Sequence, residues 1–368
     1  MNKSRRRWVG LAALAAGLVL LLWHISRSPD WNQFTWESVW ALLAHANPGW
    51  LVAAVACTFS SYVVRAYRWK FFLDPVKSAS LKVLFSAQIL GFSAVYLIGR
   101  PGELVRPAYI ARWEGLPFAS QLAILVLERI YDSVAVALLF ALGLYLEPIP
   151  LGSPHAALTL HRMHETALVV LAGTAGLVAL LVLFRFRAER LITWWEQRFS
   201  LLPSKWRSGP AGVARSFAEG LDVIENWRDL GYSVACTAVL WVINVSVFWS
   251  VYKSLGGRLA ELSWWAATVT VFSAGVGLVA QLPGVGGGFQ FAVLFALKQT
   301  LHIPPTEATS AALLLWLVIL VPCVLTGLVL LIYGGLSFKH LQAMVQAEQA
   351  TVSGGHPARE LPASRSRV

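Results

Sequence analysis

Charged residues interrupt an otherwise apolar stretch of the sequence at "GRPGELVRP", residues 99–107. Arg100, Glu103 and Arg106 are spaced by three, so they share one face if a helix restarts after the glycines and prolines. Two arginines and one carboxylate form a positive surface that suits a phosphate or sulfate group. The segment is equally compatible with an interfacial cluster that only sets topology.

A second charged segment, "LERIYD", lies inside an apolar run that extends from Leu122 to Leu146. It contains Glu128, Arg129 and Asp132, of which the two carboxylates are one helical turn apart. Ionisable groups inside a membrane span are costly unless paired, and they indicate a functional site by default. The alternative is a buried ion-pair network that only fixes the fold.

The partner of Asp132 has two candidates in the sequence. It is either Arg129, close by on the same helix, or one of the arginines at 100 and 106. Only the second alternative would combine the two charged segments into a single site. Glu128 and Asp132 would then complement Arg100 or Arg106.

The third candidate segment is "LPGVGGGFQ", residues 282–290. Its glycines would expose backbone N–H groups that bind an anion, or would simply allow close helix packing. The candidate residues here are Pro283, Gly284, Gly286 and Gln290.

Composition defines the class of protein that must position these residues. The chain has 368 residues, 57% of them hydrophobic, 17 of them tryptophan, with a mean hydropathy of +0.61. Apolar runs near the length needed to cross a bilayer recur along it. We therefore predict an all-α polytopic membrane protein. The runs are Trp8–Trp23, Trp50–Val64, Leu122–Leu146, Ala167–Phe184, Tyr232–Val251 and Ala308–Tyr333.

The net charge of +11 reflects basic residues that flank the apolar runs. Attraction to anionic lipid headgroups explains it, so no nucleic-acid partner is expected. Histidine and cysteine spacings indicate no metal site, and no cofactor is expected. We expect residues 1–335 to form the membrane domain, with a cytoplasmic amphipathic linker at 185–230, and residues 336–368 to form a disordered basic tail.

Charge distribution predicts the topology. Basic groups at 3–7, 65–82, 185–228 and after 337 indicate cytoplasmic segments, including both termini. The number of membrane crossings agrees with these assignments only if residues 81–118 enter and leave the membrane on one side, and residues 262–302 likewise. The prediction is about six spanning helices plus two opposed re-entrant hairpins.

A repeated spacing supports this arrangement. Pro101 lies 51 residues after Trp50, and Pro283 lies 51 residues after Tyr232. Each proline is followed by a glycine and later by a long apolar run. This pattern is typical of an inverted-topology repeat, whose broken helices line a polar cavity.

The three motifs together resemble those of the lysylphosphatidylglycerol synthase transmembrane (flippase-like) family, which includes hopanoid-associated proteins. The resemblance covers roughly residues 8–335 and implies a bacterial inner-membrane protein that moves lipid between leaflets. Residues that match the family pattern are Arg100, Gly102, Glu103, Arg106, Glu128, Arg129, Asp132, Pro283, Gly284 and Gly286.

The sequence departs from that pattern at three positions. Ile98 replaces a usual proline, Val285 a common glycine, and Gln290 a frequent glutamate. The last exchange removes a titratable group that proton or cation coupling would use. Residues 336–368 are too few for the soluble aminoacyl-transferase domain of the synthases, so that activity is not expected.

The expected function is a lipid flippase-like transporter in which a polar cavity passes an anionic or glycosylated headgroup while the lipid tails stay in the bilayer. Arg100 and Arg106 would bind the headgroup. The alternatives are a polyprenyl-linked glycosyl or acyl transferase, and a non-catalytic scaffold for lipid-biosynthesis enzymes. No catalytic motif supports the transferase.

Overall fold

The computed structural model describes residues 34–74, 77–146, 154–198, 227–278, 281–282 and 286–333, together with parts of 211–218. Helices make up nearly all of this part of the chain. The predicted first helix at 8–23 and the tail at 336–368 lie outside the described residues. The other five apolar runs each fall within a single helix.

The described part of the first half of the chain contains five helices. They are α1 (Trp36–Ala44), α2 (Pro48–Leu73), α3 (Leu81–Ile98), α4 (Val105–Glu114) and α5 (Phe118–Leu146), with a 3-10 turn at Arg100–Leu104 between α3 and α4.

The second half begins after α6 (Pro154–Arg198). It comprises α7 (Trp227–Leu255), α8 (Gly257–Glu261), α9 (Trp264–Gly277), α10 (Gly288–Phe295) and α11 (Pro305–Tyr333). A π-helical turn at Ala296–Thr300 follows α10, and the short strands β1 (Gln281–Leu282) and β2 (Gly286–Gly287) pair antiparallel between α9 and α10.

Four helices of the described chain are long and apolar enough to cross a membrane: Pro48–Leu73, Leu81–Ile98, Gly231–Leu255 and Pro305–Tyr333. The helix α5 equals α11 in length, at 29 residues, but it carries the three charges of the second motif. The chain is therefore an all-helical protein built to span a membrane several times.

Local sequence explains where α2 begins and ends. The Asn47 side chain accepts a hydrogen bond from the Gly49 N–H at 2.9 Å, and Pro48 occupies the first turn, where its missing N–H is harmless. No glycine or proline interrupts the helix between Gly49 and Pro75. As a result α2 continues past the predicted run at 50–64 and includes Arg65 and Arg68.

The connection between α3 and α4 turns the chain back on itself. Gly99 has φ +78°, and Pro101 cannot donate a backbone hydrogen bond, so α3 ends there. A Cβ at Gly102 would lie 2.4 Å from the Ala94 carbonyl carbon. Only glycine allows the turn to pack this closely against α3.

The start of α3 and the end of α4 lie next to each other. The Ser80 N–H, just before α3, donates to Glu114 Oε1 at 3.0 Å, at the end of α4. In the second half, the Leu259 N–H before α9 donates to Glu307 Oε2 at 3.3 Å, at the start of α11. A glutamate thus joins the entrance and exit of each broken pair. We call α3–α4 the first broken pair and α9–α10 the second.

The long helices α2 and α7 pack antiparallel at the centre. The Asn47 N–H donates to the Ser254 carbonyl at 2.7 Å near one end, and Phe71 stacks on Tyr232 with ring centres 5.1 Å apart near the other. Each broken pair follows the C-terminal end of one of these helices. The two pairs therefore open toward opposite ends of the molecule.

The two halves also exchange contacts reciprocally. Ser93 of the first broken pair donates to the Cys323 carbonyl of α11 at 3.0 Å. Phe272 of the second pair stacks on Phe140 of α5 with ring centres 4.0 Å apart. Each broken pair thus packs against the final helix of the other half.

The region predicted as an amphipathic linker begins inside α6, which extends unbroken to Arg198. Ala188 and Ile192 of this helix pack with Ala211 and Ala218. Its location on the cytoplasmic side stays a prediction.

Candidate functional site

A network of buried charges forms where α2, α4 and α5 meet. Glu128 and Asp132 project from successive turns of α5 and are 1% and 7% exposed. Arg65 and Arg68 reach them from α2, and Arg106 reaches Glu128 from α4. Three guanidinium groups therefore surround two carboxylates.

Arg68 makes the closest contacts with the pair. Its Nη1 donates to Asp132 Oδ1 and its Nη2 to Glu128 Oε1, both at 2.7 Å. Its Nη1 also donates to Thr237 Oγ1 of α7 at 3.0 Å. Arg68 is 1% exposed, and its donors bridge the two carboxylates.

Arg65 contacts both carboxylates through a single nitrogen. Its Nη1 donates to Glu128 Oε1 at 3.0 Å and to Asp132 Oδ2 at 3.2 Å. Its guanidinium carbon lies 5.4 Å from the centre of the Phe92 ring.

Arg106 is held from several sides. Its Nη2 lies 2.6 Å from Glu128 Oε2, and its Nη1 donates to Gln88 Oε1 at 2.7 Å. The guanidinium also lies 4.4 Å from the centre of the Trp69 ring. With only 4% of the residue exposed, Arg106 is positioned as part of the scaffold of the site.

The second half of the chain contributes one side chain directly to the carboxylates. Trp241 Nε1 of α7 donates to Asp132 Oδ1 at 3.2 Å. Together with Thr237, it links the network to the second half of the chain.

Arg129 behaves differently from the other arginines. It is exposed, although it sits in the middle third of the 29-residue helix α5. Among the residues that the structure describes, no ion pair or hydrogen bond of its side chain is found. It lies on the wall of two adjoining cavities.

The smaller cavity, of about 100 Å³, lies between the first broken pair and α5. Gln88, Glu103, Arg106 and Arg129 form its polar wall. The Gln88 Nε2 donor is buried and has no acceptor in the described structure.

The larger cavity, of about 470 Å³, lies between the two halves. Its polar side includes Ser61, Arg65, Arg129, Asp132 and Asn244, and the rest of its wall is mainly apolar and aromatic. Four residues line both cavities: Phe92, Tyr96, Arg129 and Leu278. Arg129 is the charged residue at this boundary.

The structure brings together most of the first two predicted motifs. Arg106 contacts Glu128, as one of the sequence alternatives required, and Glu103 and Arg129 line the smaller cavity. Gly102 is buried in the turn against α3. The side chain of Arg100 and the residues Pro283 and Gly284 lie outside the described structure.

The predicted partners of Asp132 were wrong. Its closest ion pairs are with Arg68 and Arg65 of α2, rather than with Arg129 or Arg106. Sequence reasoning had placed both α2 arginines in a cytoplasmic segment, because they follow the apolar run at 50–64. The uninterrupted helical pattern as far as Pro75 was the signal that could have kept them in the membrane helix.

The glycine-rich segment contributes less than expected to the charged network. Gly286 belongs to the short strand β2. Gln290 Oε1 accepts a hydrogen bond from the Gly287 N–H at 2.7 Å, which stabilises the start of α10. Phe289, next to it, lines the larger cavity.

The fold and this site define a multi-pass helical membrane protein with a charged intramembrane cavity. The family model described as "Lysylphosphatidylglycerol synthase TM region" matches residues 8–327. The chain belongs to this family, which places it among membrane proteins of lipid metabolism or transport. No curated protein matches the sequence. Among the described residues, no group of three metal-ligating side chains occurs.

Proposed function

We propose that this protein moves an anionic lipid headgroup between the two leaflets of a membrane, and that Arg129 is the residue that binds it. The observation that carries the proposal is the position of Arg129. It is an exposed arginine whose side chain makes no ion pair or hydrogen bond in the described structure, on the wall shared by both cavities. Such a group inside a membrane protein favours an anionic ligand.

The charge balance supports an anion over a cation. Arg65, Arg68 and Arg106 already outnumber Glu128 and Asp132, which they contact directly. Arg129 adds a further positive charge beside them, and Glu103 of the smaller cavity offsets only part of the excess. Electrostatic interactions are stronger where water is excluded. The excess positive charge therefore attracts phosphate or a similar oxyanion.

The proposed roles of the arginines differ from those expected from sequence. Arg106 is almost fully buried and is held by Glu128 and Gln88, so it suits positioning more than ligand binding. Arg65 has Nη2 and Nε without an acceptor among the described residues, and it lines the larger cavity. Arg129 and Arg65 are therefore the proposed headgroup ligands.

The two broken pairs are proposed to be re-entrant hairpins that complete a topology of six spanning helices. Two features support this: the glutamate contacts at Ser80 and Leu259 that close each pair, and the antiparallel packing of α2 and α7. Since the pairs open toward opposite ends, they would enter from opposite membrane faces. We further propose cytoplasmic termini, a bacterial inner-membrane location and lipid-biosynthesis enzymes as partners.

Transport can be tested with purified protein in liposomes that contain fluorescently labelled phosphatidylglycerol. A membrane-impermeant quencher measures how fast label from the inner leaflet reaches the outer one. The proposal predicts that the protein accelerates lipid exchange between the leaflets without any glycosyl or acyl donor. A new lipid product formed from added donor would indicate a transferase. Absence of both exchange and product would leave only the scaffold alternative.

A further inference from the structure

We infer that the larger cavity also holds a hydrocarbon chain of the transported lipid, against a wall formed by the second half of the protein. The inference rests on the proposed function for the identity of the ligand as a lipid. It replaces the expectation that the lipid tails remain entirely in the bilayer.

The two final helices of the repeats have corresponding positions at the cavity. Both α5 and α11 have 29 residues, and each follows its broken pair. In this register Arg129 and Asp132 of α5 correspond to Trp316 and Ile319 of α11, and all four line the cavity. The same face of the same repeat element is thus charged in one half and uncharged in the other, where it carries an indole and an aliphatic side chain.

The third charged residue of the motif also corresponds to an uncharged residue of α11. Glu128 corresponds in this register to Leu315, and both are almost completely buried, at 1% and 0% exposed. The second repeat therefore lacks every charge of this motif. The cavity between the repeats has two chemically different sides, although its architecture is repeated.

Other elements of the second half extend the apolar side. Aromatic and aliphatic residues of α7, α9 and α10 lie on the wall, and Phe248 and Phe289 have ring centres 6.1 Å apart. The polar side-chain atoms of this half belong to Trp241, which donates to Asp132, to Asn244, and to Trp316, whose buried Nε1 has no acceptor in the described structure. The main apolar contributors are Val247, Phe248, Val271, Phe272, Val276 and Phe289.

Binding of a polar headgroup does not explain why the second side of the cavity is mainly apolar. A headgroup placed against Val271, Phe272 and Ile319 would lose hydrogen bonds to water without replacing them. Apolar cavities instead stay dry or take apolar ligands. With about 470 Å³, the larger cavity is within the range of small-molecule sites, and only part of its wall is charged. An amphiphile that places its anion at Arg129 and its chain at Ile319 satisfies both sides.

The inference can be tested by photo-crosslinking in proteoliposomes. The probe is phosphatidylglycerol with a diazirine at the middle of one acyl chain, and mass spectrometry locates the adducts. We expect adducts on cavity residues such as Phe272, Phe289 and Trp316. Adducts on lipid-facing residues, such as Leu325 of α11, are expected in any case, because the bilayer surrounds them.

A pair of variants separates the cavity from the lipid-facing surface. Ile319→Trp places an indole in the apolar side and should lower the cavity adducts about tenfold, because it fills the volume of the chain. Leu328→Trp makes a similar change on the exposed face of the same helix and should leave them unchanged. Thermal unfolding of both variants checks that the fold is retained.

The outcomes distinguish this inference from the proposed function. Adducts confined to lipid-facing residues would overturn the inference, even if headgroup exchange is normal. Cavity adducts that persist in a folded Ile319→Trp protein would also contradict it. Cavity adducts that disappear only in Ile319→Trp would support it, even if the wild-type protein fails to exchange lipid between leaflets. If Ile319→Trp does not fold, Val271→Trp is the replacement on the opposite helix.

Discussion

Arg68 Nη1 lies 2.7 Å from Asp132 Oδ1, and this contact joins α2 to α5 inside the membrane domain. Arg68 also contacts Glu128, which in turn contacts Arg106 of the first broken pair. The buried charges therefore connect three separate segments of the first half. Arg129 stands beside this network and is exposed to the cavities. Arg68 and Arg106 are thus enclosed in the network, whereas the proposed main ligand, Arg129, is not.

Removing the carboxylate of Asp132 should destabilise the protein. Asp132→Asn leaves Arg65 and Arg68 with too little negative charge around them, and breaking a buried pair costs about 3–5 kcal/mol. Denaturant unfolding in detergent gives the change in the free energy of unfolding.

A double-mutant cycle identifies the partner. Asp132→Asn combined with Arg68→Met should show a coupling energy of about 1–3 kcal/mol, because the two side chains are in contact. The same cycle with Arg129→Met should show much less. Coupling to Arg129 alone would contradict the ion pair between α2 and α5.

Arg106 should matter more for stability than a surface-exposed binding residue would. Arg106→Ala removes the buried partner of Glu128 Oε2 and of Gln88 Oε1, together with the contact with Trp69. We expect a loss of several kcal/mol in the free energy of unfolding. Arg106→Lys should recover only part of it, since an ammonium cannot contact both partners in the same geometry. Wild-type stability in Arg106→Ala would show that the network does not hold α4 in place.

The sequence was sufficient to predict the helical membrane class and to select Arg106, Glu128 and Asp132, which the structure places in one network of buried charges. It identified these residues because glycines, prolines and charges are rare in apolar runs, and each instance requires a local explanation. It did not predict the partners of Asp132, because ion pairs between distant helices depend on packing. Arg65 lies 67 residues from Asp132 along the chain, and no spacing rule joins them.

The sequence also did not predict that the two halves form chemically different sides of the larger cavity. Trp316 and Ile319 look like ordinary residues of an apolar helix. Their significance appears only because α11 has the same length as α5 and faces the same cavity. Likewise, nothing local in the sequence indicated that Arg129 would remain exposed while Glu128 beside it is buried.

Cysteine labelling tests the re-entrant hairpins. In a variant that lacks the native cysteines, we would introduce single cysteines at Ser78 and Arg112 around the first broken pair, and at Arg258 and His302 around the second. All four positions are exposed. An impermeant maleimide should reach 78 and 112 from one face of the membrane only, and 258 and 302 from the other face only. Labelling of 78 and 112 from opposite faces would mean that the first pair spans the membrane.

Two glycines should be required where the two halves of the chain contact each other. A Cβ at Gly143 would lie 1.8 Å from Thr268 Oγ1, and one at Gly327 would lie 2.2 Å from Ser93 Oγ. Alanine at either position should destabilise the protein by about 1–3 kcal/mol through overcrowding. Gly173 is the control, because nothing lies within 4 Å of a Cβ there. Gly173→Ala should be neutral or slightly stabilising, as expected for a helix. Equal effects at all three sites would argue against this packing.

The central claim is that Arg129 binds the headgroup, and one measurement tests it most directly: the leaflet exchange rate of labelled phosphatidylglycerol in liposomes with wild-type protein, Arg129→Gln or Arg112→Gln. Arg112 is an exposed arginine that lines neither cavity, so it controls for loss of a positive charge. The account predicts that Arg129→Gln slows exchange about ten- to a hundredfold, the size of one lost charge-assisted hydrogen bond, with little change in unfolding temperature. Arg112→Gln should exchange lipid at the wild-type rate. Wild-type exchange by a stably folded Arg129→Gln protein would contradict the account.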